Sequence, residues 1–153
     1  MKLLTLTSLT LLCFAQERVG PDKMAHLKML VGEWAANGTG GQVEFRYNVG
    51  LGMVGFAGPY NGPWKRMMVI HPEGDNVRAD FFTIKGQVIR YNLDFADGHT
   101  LRFVEASAPA ATQRRIVYEK LDYEHLTYLF ATASKVTDRG ILAKLLAVRP
   151  LTE

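Results

Sequence analysis

Beyond Gly32 the chain keeps a two-residue rhythm, and that rhythm limits its fold more than any other feature. Val43, Phe45, Tyr47 and Val49 alternate with Gln42, Glu44, Arg46 and Asn48. Ile89, Tyr91, Leu93 and Phe95 alternate with Arg90, Asn92 and Asp94, and Leu101 and Phe103 flank Arg102. Ile116 and Tyr118 follow the same rule, as do Leu126, Tyr128 and Phe130. A strand sends successive side chains to opposite faces, so each segment reads as a half-buried β-strand. Turn signals separate them at Gly40-Gly41, Gly50-Leu51-Gly52, Pro72 to Asn76, Lys85-Gly86, Asp97-Gly98 and Asp122 to Glu124. Short strands with a turn every ~8 to 12 residues point to an antiparallel meander closed into a barrel, or to a sandwich. No stretch offers the crossover helices that a parallel sheet requires. The expectation is an all-β, antiparallel, up-and-down barrel of about 8–10 strands with a short N-terminal helix.

Two segments depart from the rhythm. Ahead of Gly32, Met24, Leu27, Leu30 and Val31 share one helical face, which predicts a short amphipathic helix opened by Asp22. At the other end, 137–150 reads as a helical turn and then a closing strand from Leu145 to Arg149, with Pro150 at or beyond an edge. Eight of the 14 glycines fall between Gly38 and Gly62, where a sheet that must bend sharply would use them. The stretch Gly58 to Trp64 is expected to form a loop at one barrel rim.

The first residues have a different purpose. Met1-Lys2 and an apolar run to Ala15 have the layout of a secretory signal, with cleavage after Ala15 leaving a chain from Gln16. The alternatives are a lipoprotein signal lipidated at Cys13, disfavoured by bulky Leu12, and an N-terminal helix packed on the domain. The run is shorter than the ~20 residues that span a bilayer. Residues 1–15 are therefore assigned to the signal and 16–153 to one domain, exported to the periplasm or the extracellular space. Cys13 is the sole cysteine, so the mature chain has no thiolate chemistry, cysteine-ligated zinc or disulfide. The formal net charge is +3, and losing Lys2 leaves +2. Lys and Arg are scattered beside acids, which describes a solvated surface rather than a nucleic-acid stripe.

At Leu30-Val31-Gly32-Glu33-Trp34 the sequence resembles the opening of lipocalins and their calycin relatives, with a short helix followed by Gly-x-Trp on the first strand. The stretch from Val77 to Tyr91 is similar to uncharacterised exported bacterial lipocalin-like domains. The resemblance covers residues 22–150 in outline. It implies that Trp34 plugs one barrel end and that a late arginine, here Arg149, covers it. Nitrobindin-type relatives bind haem through a histidine just ahead of the final strand. The matching stretch, Ile141 to Ala147, has none, so no cofactor is expected.

Catalytic and metal signatures are sparse. His26, His71, His99 and His125 are far apart, none has a partner at i+2 or i+4, and they read as surface or turn histidines. Ser107 and Ser134 stand in no nucleophile elbow, and Asn37 to Gly41 lacks the ending of a phosphate loop. The alternation turns Phe45, Tyr47, Tyr91, Leu93, Phe95, Leu101, Phe103, Tyr118, Tyr128 and Phe130 inward. Of these, Phe45, Tyr47, Tyr91, Phe103, Tyr118 and Tyr128 are the candidate ligand contacts, because aromatic walls with a few hydroxyls suit a small apolar guest. The same residues could equally make a solid core. Three functional classes follow. The first is a carrier of a small hydrophobic molecule. The second is a small-barrel enzyme using Asp80, Glu105 or Glu119. The third is a filled barrel that meets a partner through Tyr60 and Trp64.

Overall fold

The computed structural model describes residues 19–37, 41–47, 52–59 and 62–145. The expected signal segment and Arg149 lie outside them. Helix α1 (Val19–His26) runs into a tighter helical turn at Leu27–Leu30. The helix starts three residues ahead of the expected Asp22. Pro21 falls in its first turn, where a missing N–H breaks no intrahelical bond. Met24, Leu27 and Leu30 are buried, as their shared face predicts, and α1 lies against the fifth strand.

Ten antiparallel strands follow: β1 (Gly32–Ala36), β2 (Gly41–Tyr47), β3 (Met53–Pro59), β4 (Arg66–Glu73), β5 (Asn76–Phe82), β6 (Val88–Ala96), β7 (Thr100–Glu105), β8 (Arg115–Lys120), β9 (His125–Ala131) and β10 (Val136–Lys144). Each pairs with its sequence neighbour, and β1 closes the ring against β10 at Trp34↔Lys144, Ala35↔Ala143 and Ala36↔Leu142. Closure leaves no open sheet edge.

The helical segment is tied to the sheet by one buried bond. The Trp34 indole Nε1 donates to the Leu30 carbonyl at 2.8 Å, capping an otherwise orphan acceptor at the helix end. Trp34, Leu27 and Leu30 are fully buried, and burying each such side chain is worth roughly 1.5–3 kcal/mol. The same core continues through Met53, Ile70, Leu101, Phe103, Ile116 and Leu126, all buried. Among the described residues, Lys144 lies over the Trp34 ring, with Nζ 5.6 Å from the ring centre and 4.7 Å from that of Tyr123.

Phe95 corrects the expected inward stripe. It is 42% exposed. In the β6–β7 ladder Leu93 pairs with Phe103, but Phe95 pairs with Arg102, so Asp94 is an extra residue. Such a bulge reverses the parity of everything beyond it. Ala96 turns inward opposite Leu101, and Phe95 joins Asp94 on the outer wall. Arg102 grips both, with a 2.5 Å contact to the Asp94 carboxylate and a position 5.6 Å over the Phe95 ring.

The C-terminal segment differs as well. The closing strand spans Val136–Lys144, with no helical turn before it, and pairing reaches Leu145, whose N–H donates to the Glu33 carbonyl at 2.8 Å. Thr137, Asp138 and Arg139 hide this strand from pattern reading because they are exposed, and a second irregularity between Val136 and Asp138 breaks the alternation. Glu44, expected on a solvated face, is buried, and both of its carboxylate oxygens accept bonds from Arg46.

The bulge makes a test that pattern reading alone would get wrong. Phe103→Ala should destabilise the barrel by about 3–5 kcal/mol, while Phe95→Ala should cost no more than about 1 kcal/mol. Urea unfolding of the two variants decides it. Equal losses would mean that the ladder has no extra residue at Asp94.

Candidate functional site

The two ends of the barrel are filled differently. The N-terminal helix enters at the end where β1 starts, and Trp34 fills it. At the other end, where β1 finishes and β2 starts, a cavity of about 350 Å³ opens. Phe45, Tyr118, Met68 and Leu142 form its lower part, and Phe81, Tyr128 and Phe130 its walls. The lumen is therefore packed beside Trp34 and open at the other end.

Two glycines keep the hollow half open. Gly55 pairs across strands with Phe45, and a Cβ on Gly55 would come within 2.6 Å of that ring. Gly140 pairs with Tyr128, and its Cβ would come within 2.9 Å of the Tyr128 ring and hydroxyl. Each ring lies over the bare backbone opposite instead of standing upright in the lumen, an arrangement known to rescue strand glycines. Rings from strands that are not neighbours in the sheet then meet across the lumen, β2 with β8 and β5 with β9. Phe45 meets Tyr118 edge-on at 5.7 Å, Tyr128 meets Phe130 at 6.0 Å, and Phe130 meets Phe81 at 6.1 Å. Edge and tilted contacts of this kind add to simple area burial.

Polar groups gather at the mouth. The Tyr128 hydroxyl bonds to the Asp138 side chain; burial first, then that carboxylate, raises the phenol pKa, and Arg66 opposes the shift. Arg66, Lys65, Ile84 and Asp138 border the opening. Deeper in, Tyr118 is wholly enclosed and its phenol is pushed up chiefly by burial, then by Tyr91 and Tyr128. Burial likewise lifts Tyr91 to about 12, with Arg114 lowering it and Glu105 raising it.

Of the six candidate contacts, Phe45, Tyr118 and Tyr128 border the cavity. Tyr91 packs behind Phe81 at 6.5 Å, and Phe103 is fully buried and does not border the cavity. Tyr47 pairs with Met53 through its backbone, and its side chain lies outside the described residues. Met68 and Phe81 also border the cavity; alternation does not single them out, because in Arg66-Met67-Met68-Val69-Ile70 and Phe81-Phe82 apolar neighbours conceal the parity. Leu142 and Asp138 border it as well, on a closing strand that starts earlier than the expected Leu145.

The carboxylates considered for chemistry are elsewhere. Asp80 is on the outer wall between His71 (Nε2–Oδ2 3.7 Å) and Arg90 (3.5 Å), and Glu119 is exposed there too. Glu105 accepts from the Arg114 backbone N–H at 3.1 Å beside the β7–β8 loop and does not border the cavity. His99 and His125 stand in turns shaped by Asp97 and Asp122. The Asp97 carboxylate accepts the backbone N–H groups of His99 and Thr100, which hold its pKa down. Asp122 is lowered by the Glu124 N–H and the His125 ring. Among the described residues, no three His, Cys, Asp or Glu side chains cluster as metal ligands would, and no helix is long and apolar enough to cross a membrane.

Comparison with known proteins finds no matching family model and no matching curated protein.

The buried tyrosines set a pH dependence. A phenol whose folded-state pKa stands above its unfolded value contributes stability fully below the unfolded value and loses it as pH rises through the folded one. For Tyr91 that window runs from 10.0 to about 12. The free energy of unfolding should fall across it by up to about 2–3 kcal/mol on this residue's account. Tyr91→Phe should flatten the fall, read from urea midpoints at each pH. An unchanged slope in the variant would show that this hydroxyl is not what burial protects.

Proposed function

We propose that the protein is an exported, lipocalin-like barrel that carries a small, mostly apolar molecule in the cavity at its open end. One observation carries the reading: the lumen is packed solid beside Trp34, yet about 350 Å³ of aromatic-lined space is left at the mouth. Protein interiors are normally filled to crystal-like density, so a void of this size with an opening needs an occupant or a reason. Its volume is at the small end of the ~300–1,000 Å³ range of ligand pockets.

The lining matches the task. Phe45, Met68, Phe81 and Phe130 offer apolar area, and removing such area from water is worth roughly 25 cal/mol per Å². The Tyr128–Asp138 pair and Arg66 at the mouth can orient a guest with one or two polar groups. A guest held this way is bound by shape and burial and released unchanged. Export rests on the leader-like residues 1–15, and kinship with lipocalins on the helix followed by Gly32-Glu33-Trp34.

Phenylnaphthylamine, a neutral probe that brightens in apolar surroundings, should bind with a Kd on the order of micromolar. Ala57 faces the cavity from β3, so Ala57→Phe should occupy open space and weaken binding at least about tenfold while changing stability by no more than about 1 kcal/mol. Native mass spectrometry of protein from its own host should show a bound small molecule. Probe binding that ignores Ala57→Phe in a folded barrel would rule out this cavity as the site. So would an apo protein that takes up no probe.

A further inference from the structure

Among the described residues, the open end of the barrel is the more basic of the two. At the open end, the β3–β4, β5–β6, β7–β8 and β9–β10 connections and the strand ends beside them bear Lys65, Arg66, Lys85, Arg114, Arg115 and Lys135, all exposed. Glu105 and Asp138 are the acids near them, and Glu105 already faces Arg114. At the sealed end, the β4–β5, β6–β7 and β8–β9 turns bear Glu73, Asp75, Asp97, Asp122 and Glu124, offset by Lys23, Lys28, Lys120 and Lys144 on the elements beside them and by Arg78, which pairs with Glu73. A formal net charge of only +3 conceals this difference, because it sums over both ends.

Large apolar side chains stand among the open-end cations. Ile84 is 65% exposed at the tip of the β5–β6 turn, and Val88 and Val136 are half exposed where β6 and β10 begin. Trp64 is 40% exposed on the shoulder of the rim, braced by Phe56 at a ring distance of 5.7 Å. The Pro63–Trp64 backbone is pressed against Gly58, where a Cβ would meet Pro63 O at 2.7 Å, so the indole is presented by a close-packed loop. Cations interleaved with exposed aliphatic residues and a tryptophan form the surface that an anionic bilayer interface accepts. The cations meet lipid phosphates while the indole and aliphatic tips enter the headgroup layer.

We propose that the open end of the barrel docks mouth-first on anionic phospholipid surfaces. Docked in this way, the cavity faces the bilayer, and an apolar guest can pass between lipid and lumen without crossing water. The docking itself requires only the rim. Its test uses vesicles without a guest, whereas the carrier reading is tested with a probe and no vesicles, so either can fail alone.

The protein should cosediment with phosphatidylcholine vesicles containing phosphatidylglycerol and remain in solution with phosphatidylcholine alone. Raising salt from about 0.02 to 0.5 M, which shortens the Debye length from roughly 20 to about 4 Å, should release it. The triple variant Lys65→Ala, Lys85→Ala, Lys135→Ala should lose roughly a hundredfold in partitioning, about fivefold per cation. A sealed-end control, Lys23→Ala, Lys28→Ala, Lys120→Ala, compared with the parent at about 0.1 M salt, where the Debye length is about 10 Å, should bind within about twofold, since those charges would then lie more than a Debye length from the surface. The chain has two tryptophans and Trp34 is buried, so a blue shift of emission on binding reports Trp64 and should vanish in Trp64→Phe. Equal partitioning to neutral and anionic vesicles, equal losses in the two triple variants, or no binding at low salt would overturn the proposal.

Discussion

Closing ten strands into one ring sets a diameter that these side chains do not fill along the whole length of the barrel. A barrel of about eight strands is just wide enough for side chains to pack its interior, and each added strand widens it. The extra room is handled differently at the two ends. At one, α1 and the following helical turn bring Met24, Leu27 and Leu30 to the opening, and the Trp34 indole both fills space and fixes that turn through the Leu30 carbonyl. At the other, nothing comparable enters among the described residues, and they leave the space open. The cavity, the buried tyrosines around it and the exposed rim all follow from that unequal filling.

The hollow half is kept hollow by the pairing of aromatic rings with glycine. Phe45 over Gly55 and Tyr128 over Gly140 recline on opposing strands because no Cβ stands in the way. A side chain in either place would drive the ring into the lumen and turn the wall into filling. Glycine normally weakens a strand. Here the ring covers the bare backbone and restores contact, so the barrel gains an open lumen without an uncovered wall.

The polar groups of the site are held where the lumen meets water. Tyr128 and Asp138 share a bond at the mouth, Arg66 faces them, and deeper hydroxyls such as that of Tyr118 stay protonated because burial disfavours the phenolate. The acids that could have served as catalytic bases are placed away from the cavity lining. Asp80 and Glu119 are on the outer wall by strand parity, and Glu105 is engaged by Arg114.

The two-residue rhythm by itself determined the antiparallel meander and the inward direction of Phe45, Tyr91, Phe103, Tyr118 and Tyr128, because alternation is a local property of extended backbone. The buried face of Met24, Leu27 and Leu30 was equally legible, since helical spacing is local too. Tertiary structure alone decided what depends on register and on partners distant in sequence. The bulge at Asp94 turned Phe95 to solvent, and the polar run Thr137 to Gly140 became part of the closing strand because β9 and β1 were there to pair with β10. How the Phe45 and Tyr128 rings lie at the edge of open space was decided by Gly55 and Gly140 across the ladder from them. That arrangement is set by strand pairing, and neither residue of such a pair announces the other in the linear chain.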